Sequence, residues 1–120
     1  MIVTFNEIEV TFRKAALGVG VPLGLAEDMG RMNHWLAARG GMAMASAVAL
    51  LDALDSKESG KGTLVPNGEG WEVVPEAGQR LSALYAGGAS CDWLCAHNAT
   101  LWLKQVDFPL WVLIATALAS

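Results

Sequence analysis

From Phe108 to Ser120 the chain carries no charged side chain, and leucine, valine, isoleucine, tryptophan and alanine fill most of the run. A stretch of 13 residues falls short of the roughly 20 needed to cross the hydrocarbon of a bilayer, so it must be covered by protein. The rest of the chain makes that cover scarce. A body of 120 residues builds one hydrophobic core and has much surface for its volume. Its hydrophobic content is 53% and its charged content 17%, against typical values of roughly 45–50% and 25%. Such a surplus predicts a subunit interface or a ligand cavity.

Eight basic and 12 acidic residues give a formal charge of −4 and are dispersed without blocks. A basic footprint for phosphates is missing, which argues against nucleic acid. Glu7 and Glu9 interrupt the apolar start, so it lacks the basic-then-apolar order of a signal peptide. The expected location is the cytoplasm. Cys91 and Cys95 are too few for a disulfide framework and read as reduced thiols, one turn apart if their segment is helical.

Thr4-Phe5-Asn6-Glu7 fits a capping box. The helix after it places Phe5, Ile8, Phe12, Ala15 and Ala16 on one face and Val10 and Leu17 on a second stripe, with Gly18 as its stop. A second helix over 23–38 carries Leu25, Met29, Met32 and Leu36 at core spacing and ends at Gly40-Gly41. The segment from Met42 to Leu54 reads as a central apolar element. The polar stretch 55–62 reads as a flexible exposed loop. Thr63-Leu64-Val65-Pro66 and Trp71-Glu72-Val73-Val74, on either side of Asn67-Gly68-Glu69-Gly70, predict a β-hairpin, with Pro66 and Pro75 keeping its strands short or at an edge. A helix over 76–86 stopped by Gly87-Gly88, a shorter one over 90–96 and a weak strand over 100–106 follow. Asp107-Phe108-Pro109 reads as the cap and first turn of a last helix, although Val112 and Ile114 leave a strand open.

Phe5-Asn6-Glu7, Lys14-Ala15-Ala16-Leu17-Gly18-Val19-Gly20, Gly24-Leu25-Ala26-Glu27-Asp28-Met29-Gly30 and Trp35-Leu36-Ala37-Ala38-Arg39-Gly40 together resemble the start of an uncharacterised family of bacterial proteins, a domain of unknown function. The resemblance covers about the first third of the chain. It implies a bacterial protein, no known activity and no catalytic residues to carry over. Members of that family look longer than this chain, which leaves a truncated form of a longer fold as an alternative to a complete domain.

Chemistry-bearing residues are sparse. On the second helix Glu27, Arg31 and His34 share the stripe opposite the apolar face, Glu27 and Arg31 in the favourable i, i+4 order, and Lys14 of the first helix is within plausible reach. A carboxylate, a guanidinium and an imidazole together can bind an anion or move a proton; the plainer reading is a solvated helix face. Cys91, Cys95 and His97 lack the number and spacing of a zinc site and read as buried thiols on a helix, so no metal is expected. Gly18-Val19-Gly20-Val21-Pro22-Leu23-Gly24 misplaces the third glycine of a dinucleotide loop and follows a helix. Gly60-Lys61-Gly62-Thr63 lacks the first glycine and the hydroxyl residue of a P-loop. Neither predicts a cofactor. Read as a helix-turn-helix, the second helix would present Glu27 and Asp28 to the bases, where phosphate repels them.

The expectation is therefore one α+β domain over 1–120, mainly helical, with four to six helices and a small β-hairpin or short sheet. Its leading role is non-catalytic self-association, most simply as a dimer, through Leu110, Trp111, Leu113 and Ile114. A small-molecule-binding protein or enzyme using Glu27, Arg31 and His34, and a DNA-binding module, are the alternatives. Most of the five tryptophans are expected in the core, and some are the best hot-spot candidates for an interface.

Overall fold

The computed structural model describes residues 3–40, 44–68, 70–97 and 100–119, with the side chain of residue 119 left aside. The described residues form an α+β structure, mainly helical, with five helices and two three-stranded sheets. They divide into two compact units, Met1–Asp55 and Ser56–Ser120. No described helix is long and apolar enough to cross a membrane.

The first unit contains α1 (Phe5–Gly18), α2 (Leu23–Ala38) and α3 (Met44–Asp55). Thr4 caps α1 as its sequence predicts, Oγ1 accepting from the Glu7 amide at 3.1 Å. α1 ends at Gly18, as expected from the sequence. The left-handed residue is Gly20, with φ at +91°, and the amides of Gly20 and Val21 donate to the carbonyls of Leu17 and Ala16. That pattern is a Schellman ending, and the Val21 side chain is buried along with Ala16, as the motif's hydrophobic contact requires. α2 spans the residues read from sequence, with Met29 and Met32 buried and Gly40 left-handed just past its end.

Small residues bring α1 and α2 together as an antiparallel pair. Ala16 and Ala26 are fully buried. A Cβ built on Gly30 would lie 2.6 Å from the Glu9 carbonyl oxygen and 3.4 Å from Arg13 Cβ. The first obstacle is backbone, so it cannot rotate aside. α3 buries Ala47, Leu50, Leu51 and Ala53; Met42, read as part of that segment, lies outside the described residues.

The second unit contains β1 (Ser59–Gly60), β2 (Gly62–Asn67), β3 (Gly70–Pro75), β4 (Arg80–Ser82), α4 (Ala83–Ala96), β5 (Leu101–Leu103), β6 (Val106–Asp107) and α5 (Leu110–Ala119). β2 and β3 form the expected hairpin, with Asn67 opposite Gly70 and Gly68 left-handed in the turn. Pro66 lies in β2, an edge strand, where a missing amide is tolerated. β5 adds to β3 in parallel. In the other sheet β1, β4 and β6 run parallel in the order β1-β4-β6. Parallel neighbours require a crossover, and α4 supplies it both from β3 to β5 and from β4 to β6. Val73, Leu81 and Ala86 form the buried cluster, with Leu101, Leu103, Val106 and Val112 packed on it.

Three sequence expectations are corrected here. The stretch 55–62 is not wholly an exposed loop, because β1 lies within it and Ser59 is buried. Its Ser-Gly pair has no strand propensity; parallel pairing to Arg80 and Leu81 orders it. Gly87-Gly88 does not stop a helix, and residues 76–82 are turn and strand instead. α4 starts at Ala83 and runs through both glycines. Asp107 does not cap the last helix. Its Oδ1 accepts from the Ala83 amide at 3.1 Å, placing a carboxylate on the first turn of α4, where the helix dipole favours it.

The tight contact at Gly30 has a direct consequence. Gly30→Ala gains about 1 kcal/mol of helix propensity and loses about 1–3 kcal/mol to overpacking, so chemical denaturation is expected to show net destabilisation. Gly24→Ala on the same helix, where nothing lies within 4 Å, is expected to be neutral or mildly stabilising. Equal gains at both positions would contradict the close approach.

Candidate functional site

The polar stripe predicted on α2 does not form a site as drawn. Glu27 is exposed, and Arg31 pairs with Asp28 rather than with Glu27, its side chain 60% exposed. Lys14 is exposed on α1. His34 is half-buried, and its Nδ1 lies 3.0 Å from Glu9 Oε1 of α1, with the Phe5 ring 5.6 Å away, centroid to centroid. Glu9 escaped the sequence reading because its partner lies 25 residues away, beyond any helical period. A carboxylate on an imidazole fixes the ring's orientation. Here both groups are partly solvated, and the contact works as a clasp between α1 and α2.

The residues expected at an interface divide between two faces of α5. Trp111 and Ile114 are buried, while Leu110 and Leu113 are 56% and 66% exposed. Helical spacing continues the outward stripe to Ala117, also exposed. The inward face is set by contact with α4. A Cβ on Gly87 would sit 2.9 Å from Ala115 Cβ and 3.7 Å from Val112 Cα, so the two helix backbones nearly touch. Of the tryptophans, only Trp111 is fully buried; Trp71 and Trp102 are exposed.

One turn beyond Gly87, Cys91 Sγ lies 3.9 Å from Thr116 Oγ1. From there α4, β5 and α5 line an open apolar pocket of about 280 Å³. α4 contributes Ser90, Cys91, Leu94 and Cys95; β5 contributes Leu101 and Leu103; α5 contributes Val112 and Thr116. Among the described residues no charged side chain lines it. The Ser90 hydroxyl, on a residue 6% exposed, has no hydrogen-bond partner among the described residues. His97 stacks on Trp93 at 4.5 Å between ring centroids and its Nδ1 faces the Trp93 carbonyl at 3.0 Å, so it turns to the helix end. The two cysteines, expected as small buried apolar groups, are unequal: Cys91 is partly covered and Cys95 exposed. Alkylation by N-ethylmaleimide is therefore expected to proceed first at Cys95 and several-fold more slowly at Cys91. Equal rates, followed by peptide mass spectrometry, would contradict this geometry.

No curated protein and no solved structure matches the chain. One family model does, described as a protein of unknown function (DUF3726), over residues 3–79. That span takes in the first unit and the hairpin of the second, and it ends before β4 and the α4–α5 pocket. The likeness read from residues 5–40 falls inside it. With well over half its length matched, the chain belongs to the DUF3726 family.

Proposed function

We propose that this protein acts by association rather than by catalysis, and that it pairs in the cytoplasm with a second copy of itself through the outer face of α5. The observation that carries the reading is the exposure of Leu110 and Leu113, at 56% and 66%, on a ten-residue helix without a single charge. Isolated exposed leucines are ordinary; a stripe of them at i, i+3 spacing on an uncharged helix is a contact surface. Such a face offers no charge pattern to select a different partner, and an apolar stripe is its own complement across a two-fold axis. Trp102, exposed on β5 of the same unit, supplies further apolar surface of the kind that anchors interfaces.

Catalysis has weaker support, because Arg31 engages Asp28, His34 engages Glu9, and Glu27 and Lys14 are exposed. Nucleic acid is disfavoured as a partner: α2 carries Glu27 and Asp28 near its start, and Asp28 engages Arg31, which leaves little positive charge for phosphates.

Light scattering at micromolar concentration is expected to give twice the chain mass of 12.7 kDa. Leu113→Ala should weaken pairing by about 1–2 kcal/mol, as at a contact hot spot, a five- to thirtyfold rise in Kd. Far-UV circular dichroism should stay unchanged. A strict monomer in the parent chain overturns the proposal, and so does a dimer indifferent to both Leu110→Ala and Leu113→Ala.

A further inference from the structure

We infer that the pocket between α4, β5 and α5 is a binding site for a small, uncharged molecule with an apolar body and one hydroxyl or carbonyl group. Three observations define that ligand, and none depends on pairing through the outer face of α5. The walls are almost wholly apolar, formed by Leu94, Leu101, Leu103 and Val112 with no charged residue among those described. A carboxylate or ammonium entering there would lose its hydration without a counter-charge. The volume is about 280 Å³, nearly twice that of a cavity of about 150 Å³ that accepts benzene. The body of the ligand therefore has the size of a substituted ring or a short branched chain.

The third observation is Ser90. A helical serine can bond the carbonyl one turn back, yet Ser90 Oγ is buried with no partner among the described residues, on a residue that lines the pocket. A buried hydroxyl left unpaired is costly, and a neutral donor or acceptor on the ligand satisfies it. The remaining polar groups are already engaged or soft: Thr116 Oγ1 donates to the Val112 carbonyl at 2.9 Å and Cys91 faces Thr116. Apolar walls with one convergent polar group are the ordinary build of a small-molecule site.

The test uses benzyl alcohol, ethylbenzene and benzoate as probes on the full chain, followed by amide chemical shifts in an NMR titration. Benzyl alcohol and ethylbenzene are expected to give saturable shifts concentrated on 90–95, 101–103 and 112–116, and benzoate none. Ser90→Ala, a change a helix readily accepts, should weaken benzyl alcohol about three- to tenfold, the worth of one hydrogen bond, and leave ethylbenzene unchanged or slightly tighter. Bound benzyl alcohol should also slow alkylation of Cys91 in the parent chain and less so in Ser90→Ala. Non-saturable shifts, benzoate binding as tight as the alcohol, or equal effects of Ser90→Ala on both neutral probes would each overturn the assignment. Benzyl alcohol binding that weakens as protein concentration rises would overturn it too, since a side chain of a second copy would then be the occupant.

Discussion

The second unit is organised by the absence of one methyl group. At Gly87 the α4 backbone comes so near α5 that a Cβ would press on Ala115, itself fixed to helix backbone and unable to move by rotation. That contact sets the rotation of α5. It turns Trp111 and Ile114 inward and leaves Leu110 and Leu113 outward. It also sets where α4 and α5 separate: one turn on, at Cys91 and Thr116, the side chains still meet, and beyond them the pocket opens. The apolar outer face and the apolar inner space follow from one helix contact.

α4 is held at its other end by charge. The Asp107 carboxylate, buried at the end of β6, accepts from the first amide of α4 and so ties the crossover helix to the strand that it leads to. Burial raises the cost of losing such a bond. In the first unit α1 and α2 follow the same logic of close approach through Gly30, with Glu9 and His34 joined beside it.

What could be read from sequence is what local chemistry encodes. Thr4 before α1, Met29 and Met32 at helical spacing, and Asn67-Gly68 between β-favouring runs each act within a few residues, and the structure follows them. The features that sequence concealed depend on distant partners. Ser59-Gly60 becomes a strand only because Arg80 and Leu81 pair with it. Asp107 precedes a helix it does not cap and caps one that began 24 residues earlier. Gly87-Gly88 looks like a break because propensity counts the missing side chain as a cost, whereas packing against Ala115 makes that absence necessary at Gly87. The pocket was invisible for the same reason: Ser90, Leu101 and Val112 belong to no motif and share only a place in three dimensions. The faces of α5 were half legible, since the apolar run was evident but its inward and outward sides were not.

Replacing Gly87 by alanine tests this account where it is most exposed. In a helix interior with free space around it, the change stabilises by about 1 kcal/mol; against a backbone-anchored methyl at 2.9 Å, overpacking costs about 1–3 kcal/mol. The account predicts a lower denaturation midpoint for Gly87→Ala together with faster alkylation of Cys91, because α5 must move away from α4. A midpoint raised to the extent expected for an ordinary helical glycine, with Cys91 as slow to react as before, would contradict it.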